Sequence, residues 1–320
     1  MPQPPIAIVI HGGAGTITRA AMTPDLEKDY RAKLAETLEA GYAVLETGGR
    51  ALDAVLAAVE VMEDSPLFNA GRGAVFSRGG QNRLDASVMD GATLNAGAVG
   101  AVRHLAHPIR LAAAVMDESP HVLLVGRGAE DFAWQHGFGY TPASWFHTGR
   151  RWREHIEGLE KLAADSPGTP ELLPGGEGWA HGTVGAVALD GEGHIAAGTS
   201  TGGLTNMMDG RVGDSAVIGA GTYADDATCG ASGTGVGELY MRLNITKSIS
   251  DLMEMRGWSL RKAAEHMIME RLVKLGGGNT GGVIALDRTG GIVAPFNTPG
   301  MYRGWIGADG KRVVRIYEDE

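Results

Sequence analysis

A threonine that follows glycine and opens an apolar strand is the residue in this chain best placed to do chemistry. It stands in Gly182-Thr183-Val184-Gly185-Ala186-Val187-Ala188-Leu189-Asp190, directly after a charged and polar stretch from Arg150 to His181. That stretch contains Ser166-Pro167-Gly168-Thr169-Pro170 and Pro174-Gly175-Gly176-Glu177-Gly178, a composition that predicts an exposed, flexible linker with little capacity to pack. Cleavage of the Gly182-Thr183 bond would place a free α-amine beside the threonine's own hydroxyl. A hydroxyl is inert near neutrality, whereas an α-amino group, with an unperturbed pKa of about 7.7 to 8.0, can accept its proton. The plainer alternative is that Thr183 is only the first β-branched residue of a strand.

The next residues bear on that choice. Asp190-Gly191-Glu192-Gly193 is a turn cluster, and Ile195-Ala196-Ala197 leads to Thr199-Ser200-Thr201-Gly202-Gly203, so the pattern predicts a hairpin. A three-residue loop at 191–193 pairs 183 with 201, and a two- or four-residue loop pairs 183 with 200. Either register brings Thr201 beside Thr183, where directly paired Cβ atoms lie about 4.5 to 5.5 Å apart. A ladder of paired threonines with no further role has the same spacing.

Two glycine-rich loops follow, Gly210-Arg211-Val212-Gly213-Asp214 and Ser232-Gly233-Thr234-Gly235-Val236-Gly237-Glu238. Arg211 can fork onto a carboxylate and Asp214 can accept from an ammonium, together holding a zwitterion, although a solvated surface pair fits the same spacing. Glycines at 235 and 237 let backbone N–H groups approach a developing oxyanion. A rival lies in Gly198-Thr199-Ser200-Thr201-Gly202, which matches a G-x-S-x-G nucleophile elbow, with His11-Gly12-Gly13 similar to the oxyanion loop of esterases. An elbow needs a strand turning at once into a helix, and Gly202-Gly203-Leu204-Thr205-Asn206 reads instead as a loop. An α/β-hydrolase-like serine esterase using Ser200, and an unprocessed, non-catalytic glycine-rich binding protein, are the two alternatives.

These residues need elements to hold them. Thr23 as N-cap, Pro24 in the first turn, and Leu26, Tyr30, Leu34 and Leu38 on one face predict a helix from Pro24 to Glu46. A second is expected from Ala51 to Glu63, burying Leu52, Val55, Val59 and Met62, and a strand from Ile6 to Ile10. Thr280–Leu286 and Gly291–Pro295 repeat the 183–190 hairpin pattern, and two apolar hairpins buried on both faces require helical cover. An α+β sandwich of helix layers around two antiparallel sheets follows.

In its motifs the chain resembles the plant-type L-asparaginases, or isoaspartyl peptidases, a family of N-terminal nucleophile (Ntn) hydrolases. The resemblance covers nearly the whole chain: Ile10-His11-Gly12-Gly13-Ala14-Gly15, Pro66-Leu67-Phe68-Asn69-Ala70-Gly71, Leu84-Asp85-Ala86-Ser87-Val88-Met89-Asp90-Gly91, His181-Gly182-Thr183-Val184-Gly185-Ala186-Val187, Thr199-Ser200-Thr201-Gly202-Gly203, Gly210-Arg211-Val212-Gly213-Asp214 and Pro295-Phe296-Asn297-Thr298. It implies a four-layer αββα sandwich forming one domain, cut into an α part, 1–182, and a β part, 183–320. It implies Thr183 as nucleophile, Thr201 bonded to it, Thr234 and Gly235 as oxyanion hole, Arg211 and Asp214 on the substrate's α-carboxylate and α-ammonium, and Asn69 approaching from the α part. Val236 and Gly237 would border the substrate. It also implies a structural sodium on the main-chain carbonyls of Met62, Glu63, Ser65, Phe68, Ala70 and Arg72, with no cofactor for catalysis, a small-molecule or dipeptide substrate, and a dimer of α/β heterodimers. One stretch departs from the pattern. Where relatives read Thr-Asn-Lys-x-Pro-Gly-Arg, this chain has Thr205-Asn206-Met207-Met208-Asp209-Gly210-Arg211, which loses a cation and gains an acid near a site for anionic substrates.

Composition limits the remaining classes. With 320 residues and 43% hydrophobic content the chain can bury a sizeable core. No apolar run is long enough to span a membrane and no basic, apolar signal segment precedes the first strand, so a cytoplasmic location is expected. A single cysteine, Cys229, excludes an intrachain disulfide and reads as a small buried hydrophobe. A net charge of −10 without basic clusters argues against nucleic acid and anionic membranes as partners. The histidines lack a metal spacing: His104 and His107 flank Pro108 and are expected to bond locally, and His266 is expected to be solvated on the polar side of a helix.

Overall fold

In the computed structural model, which describes residues 5–164 and 182–320, the apolar spacing after Thr23 becomes helix α1, Pro24–Glu46. The Thr23 hydroxyl accepts from the Leu26 N–H at 3.3 Å, capping one of the donors that the first turn leaves free. Tyr30, Leu34 and Leu38 are buried and Leu26 packs at their edge. Helix α2, Ala51–Glu63, buries Leu52, Val55, Val59 and Met62. Both have the boundaries that capping and periodicity indicate. The further helices are α3 (Pro108–Glu118), α4 (Gly126–Gln135), α5 (Ala143–Phe146), α6 (Gly149–Ala164), α7 (Gly237–Leu243), α8 (Ile245–Arg256), α9 (Leu260–Glu265) and α10 (Val273–Gly276), with a π-helical turn at His266–Leu272 joining the last two.

The strands are β1 (Ala7–Gly15), β2 (Leu84–Asp90), β3 (Ala96–Val102), β4 (Leu123–Val125), β5 (Val184–Leu189), β6 (Ile195–Thr201), β7 (Thr222–Ala224), β8 (Cys229–Gly235), β9 (Gly281–Asp287), β10 (Ile292–Val293), β11 (Gly300–Ile306) and β12 (Arg312–Tyr317). Among the described residues they form an eight-stranded sheet, β12-β11-β1-β5-β6-β2-β3-β4, and a four-stranded sheet, β10-β9-β8-β7. Three apolar clusters fill the spaces between layers. One packs α1 to α4 on the large sheet, one fills the space between the sheets with residues such as Val9, Val187, Ile284 and Leu286, and one packs α8, α9 and the π turn on the small sheet. The result is the αββα sandwich, and Cys229 lies fully buried in its last cluster, where burial pushes the thiol up to about 12.

Three expectations are corrected. The sheets are not wholly antiparallel: β4 joins β3 in parallel, as the intervening α3 permits by supplying a crossover. The linker expected from Arg150 begins later, because Gly149–Ala164 is helical. Its charges pair along the helix, Arg150 with Glu154 at 3.0 Å and Arg151 with Glu154 at 2.9 Å. Arg151 also donates to the Gly73 carbonyl at 2.8 Å, and the buried His155 meets Asn206. The Pro- and Gly-rich residues 165–181 of that linker lie outside the described residues. His266 is not free in solvent: it bonds Glu270 at 2.8 Å and packs edge-on to Trp258 at 5.3 Å.

Leu38 is fully buried between α1 and the large sheet. Leu38→Ala should therefore lower the unfolding free energy by about 2 to 5 kcal/mol, through lost transfer energy and the cavity left behind, read as a lower midpoint in denaturant. A midpoint within error of wild type would show that α1 does not bear on the core as described.

Candidate active site

Asp190 N–H donates to the His194 carbonyl at 3.0 Å, closing a three-residue loop. Leu189 faces Ile195 and Val184 faces Ser200 along β5 and β6. Carried one step further, that register sets Thr183 opposite Thr201, the first of the two expected pairings. The Thr183 hydroxyl donates to Thr201 Oγ1 at 3.2 Å, and both residues are buried. Because successive side chains alternate, Ser200 points to the other face and donates to the carboxylate of buried Glu63 at 2.6 Å. Strand β6 then runs into the loop at Gly202-Gly203, so Ser200 is no exposed elbow nucleophile.

The carbonyl preceding Thr183 accepts two side-chain hydrogen bonds. Gly182 O accepts from Asn69 Nδ2 and from Thr201 Oγ1, each at 2.9 Å. The Asn69 amide is itself fixed, its other proton donated to the Gly203 carbonyl at 2.7 Å and its Oδ1 accepting from Val75 N–H at 3.0 Å. Gly13 lies against the same bond: a β-bulge interrupts β1 between His11 and Gly13, Gly13 has φ +113°, and a Cβ there would sit 3.1 Å from the Gly182 Cα, so a side chain is excluded on both counts. A cavity of about 300 Å³ opens beside Gly182, bordered by Gly13, Tyr30, Asn69, Arg150 and Tyr302.

Thr234, the penultimate residue of β8, has its hydroxyl accepting from the Ala14 N–H at 3.1 Å and its carbonyl accepting from the Tyr240 hydroxyl at 3.0 Å. Gly235 faces Gly281 across the ladder. The Val236 N–H is taken by the Thr280 carbonyl at 2.9 Å and its side chain lies in the core, while Gly237 begins α7 against the Asp214 carboxylate. Arg211 donates from Nε and Nη2 to Glu238 at 2.7 and 3.2 Å. Burial works against its charge, and Glu238, Asp214 and Asp85 outweigh that, moving the guanidinium upward. Asp214 Oδ2 is buried with no hydrogen-bond partner; burial, partly offset by Arg211, pushes its carboxyl up to about 7. Asp85 accepts from the Gly213 and Ala101 N–H groups, each at 2.8 Å, and so fixes the turn between Arg211 and Asp214.

Glu238, Asp85 and His11 are the site residues to which sequence reasoning attached no role. Glu238 and Asp85 each stood inside a glycine-rich or apolar motif that contains no arginine, so no local signal tied either acid to Arg211. The departing stretch resolves simply. Met207 is buried against Gly203, and Asp209 is half exposed, bonded to Ser77 at 2.9 Å and 3.4 Å from Arg83. The acid gained in this chain therefore has its own partners. Among the described residues no group of His, Cys, Asp and Glu is arranged to hold a metal; His104 bonds the Thr141 carbonyl and His107 lies 3.4 Å from Glu63. No helix of the described residues is long and apolar enough to cross a membrane.

The carbonyls proposed for sodium lie on the turn after α2. Met62 and Glu63 close that helix, whose last carbonyls lack intrahelical donors and carry the negative end of its dipole. The chain then doubles back so closely that a Cβ on Gly71 would fall 2.3 Å from the Glu63 oxygen and one on Gly73 2.0 Å from the Phe68 oxygen. The Ala70 oxygen accepts one N–H, from Gly73, and the Met62 oxygen accepts from Asp64 and Ser65. Neutral carbonyls gathered on one glycine-bearing turn are the donor type that a hard cation takes.

Comparison with known proteins gives a single answer. A family model described as asparaginase matches residues 4–316. The isoaspartyl peptidase of Salmonella typhimurium is 47% identical over 314 residues, covering 98% of this chain and 98% of that protein. The isoaspartyl peptidase/L-asparaginase of Xenopus laevis is 41% identical over 317 residues, covering 98% and 96%, and the plant-type L-asparaginase of Pyrococcus furiosus 40% over 305 residues, covering 92% and 94%.

The unpartnered Asp214 carboxyl has a measurable consequence. With its pKa raised from 3.8 to about 7, the folded chain binds a proton that the unfolded chain releases between those values, so its contribution to stability grows as pH falls from about 7 to about 4. Relative to Asp214→Asn, the wild-type chain should gain up to about 4 kcal/mol over that window. Denaturant unfolding of both at several pH values checks it, and a difference that stays flat would mean the carboxyl is ionised throughout.

Proposed function

The chain belongs to the asparaginase family, and from that footing we propose that it is an autoproteolytically activated threonine amidohydrolase acting on L-asparagine and on β-aspartyl dipeptides. The observation that carries this reading is the setting of the Gly182 carbonyl, held by Asn69 and Thr201 with the Thr183 hydroxyl against Thr201.

In maturation Thr183 Oγ1 attacks the Gly182 carbonyl carbon. The donors from Asn69 and Thr201 already meet the oxygen on which negative charge develops, and such preorganised donors stabilise an oxyanion most where water is excluded. The only proton on Thr201 is committed to that oxygen, so Thr201 Oγ1 is an acceptor for Thr183, and the Thr183 proton leaves toward it. The C–N bond breaks, the Thr183 nitrogen gains a proton, and an ester joins Gly182 to Thr183 Oγ1. Water hydrolyses the ester and frees the α-amine, which becomes the base for turnover.

In turnover Thr183 attacks the side-chain amide of asparagine, or the β-linked peptide bond of an isoaspartyl dipeptide. Ammonia or the second amino acid departs, and water cleaves the β-aspartyl ester. Thr234 and Gly235 serve the oxyanion, Arg211 the α-carboxylate and Asp214 the α-ammonium. Glu238 occupies Nε and Nη2 of Arg211, which orients the guanidinium in the free site. A sodium ion would be held by the carbonyls of Met62, Glu63, Ser65, Phe68, Ala70 and Arg72, where it would supply charge balance to inward-facing oxygens. The same loop carries Asn69, so its rigidity sets the position of the Asn69 amide.

Mature protein is expected to run as two fragments, 1–182 and 183–320, on a denaturing gel, with Thr183 as the N-terminus of the smaller one. Thr183→Ala should remain full length and inactive. Wild-type protein that hydrolyses asparagine while uncut would sink the proposal.

Arg211→Ala should weaken asparagine binding by about 2 to 5 kcal/mol, because the carboxylate would be desolvated without a partner. Fragment formation should continue, since that reaction has no free α-carboxylate to hold. An unchanged KM for asparagine in this variant removes Arg211 from the substrate site.

A further inference from the structure

His11 lies fully buried at the bulge of β1. Its Nδ1 is 3.0 Å from the carbonyl oxygen of Thr183, and its Nε2 is 2.9 Å from Ser232 Oγ. Ser232 Oγ is 2.7 Å from Thr199 Oγ1, which is 2.5 Å from Thr222 Oγ1, itself 2.8 Å from Ser87 Oγ. At the far end Ser87 Oγ is also 2.6 Å from the carbonyl of Ser215, the residue after Asp214. All four hydroxyl residues are buried. The chain thus crosses the space between the two sheets, from the turn that bears Asp214 to the residue after Gly182.

The direction of the protons at its His11 end is forced. A carbonyl only accepts, so Nδ1 carries a proton. Burial, partly offset by that bond, pushes the imidazole down to about 3, so the ring is neutral and Nε2 is an acceptor. Ser232 must spend its one proton on Nε2, while Thr199 Oγ1 has both Ser232 Oγ at 2.7 Å and the Gly221 carbonyl at 3.1 Å within reach, and Thr222 donates to Thr199. The opposite tautomer would put a lone pair against the Thr183 carbonyl oxygen and leave that bond without a proton. Space for the row is built into β5: a Cβ on Gly185 would lie 2.0 Å from Ser232 Oγ and 2.6 Å from His11 Nε2.

We propose that His11 is a positioning residue for Thr183, holding its main-chain carbonyl through an Nδ1–H, with the buried Ser232 hydroxyl donating to Nε2 and so keeping that tautomer. The proposal rests on Thr183 being the nucleophile. Fixing the Thr183 carbonyl fixes rotation about its Cα–C bond, and with it the placing of the α-nitrogen and Oγ1 relative to Thr201 and Gly182. The assignment of His11 is separate from general base catalysis, since neither ring nitrogen faces Oγ1 and both are already committed.

Two amide side chains separate this from a packing role. The Asn amide nitrogen falls near the place of His Nδ1, and the Gln amide nitrogen near that of Nε2, so His11→Asn can keep the bond to Thr183 whereas His11→Gln cannot. His11→Gln should slow both fragment formation and kcat by about a hundredfold with KM changed by less than about threefold, as expected for a nucleophile misplaced without loss of substrate contacts. His11→Asn should stay within about tenfold of wild type in both. In parallel, 15N NMR of imidazole-labelled Thr183→Ala protein, which stays uncut, should show His11 neutral with the proton on Nδ1. Equal losses in the Asn and Gln variants, wild-type rates in the Gln variant, or a proton on Nε2 would each overturn the assignment of His11. Cleavage of the Thr183→Ala chain at residue 182 would instead overturn the nucleophile reading, and so the two failures are distinguishable.

Discussion

Everything in the site depends on the register between β5 and β6. Side chains alternate along a strand, so a slip of one residue exchanges the two faces completely. In the register set by the three-residue loop after Asp190, Thr201 faces Thr183 and Ser200 faces Glu63. One residue of slip would turn Ser200 toward Thr183 and leave the buried Glu63 carboxylate without that donor. The loop is tied down by Asp190 itself, whose carboxylate accepts from the Glu192, His194 and Ala51 N–H groups, each at 3.0 Å. The last of these binds the hairpin to the first residue of α2, so one aspartate fixes both the pairing and the helix whose C-terminus leads into the loop bearing Asn69.

Burial then converts these contacts into chemistry. Gly182 O, Thr183, Thr201 and Asn69 sit where competing water is scarce, and hydrogen bonds there are electrostatically stronger than in solvent. The same exclusion raises the cost of any charge. Around Arg211 stand three carboxyl groups, Asp85, Asp214 and Glu238, and they divide the roles by environment. Glu238 is paired with Arg211, Asp85 is satisfied by two backbone N–H groups, and Asp214 keeps an oxygen without a partner. A carboxylate in that position gains most from an ammonium that brings its own charge, and this favours a zwitterion over a simple anion as the species bound beside Arg211.

Much of this was legible in the chain because it rests on short-range rules. Thr23 and Pro24 marked a helix start, the turn cluster after Asp190 marked a hairpin, and the three-residue closure among its possible loops put Thr201 opposite Thr183. The charged run after Arg150 was misread because a linker and an amphipathic helix share a composition. What separates them is that Arg151 and His155 are buried against Gly73 and Asn206, contacts 78 and 51 residues away in sequence. His11 was quoted for its motif alone, since its partners Thr183 and Ser232 lie 172 and 221 residues off and no local pattern encodes them. The parallel β4 and the partners of Asp209 are likewise tertiary facts.

The topology also suits the proposed break between Gly182 and Thr183. Gly182 and Thr183 precede β5 and belong to no ladder, so severing the bond between them removes no strand pairing. The two parts are interleaved in the large sheet: β1 from the first lies between β11 and β5 from the second, and β6 from the second lies against β2 from the first. Three ladders, each shared between the parts, would therefore persist after cleavage. The proposed break would free a nitrogen at the edge of a core that stays closed, so that the base would appear while the oxygen beside it, the carbonyl bonded to His11 and the Thr201 hydroxyl remained where the uncut chain places them.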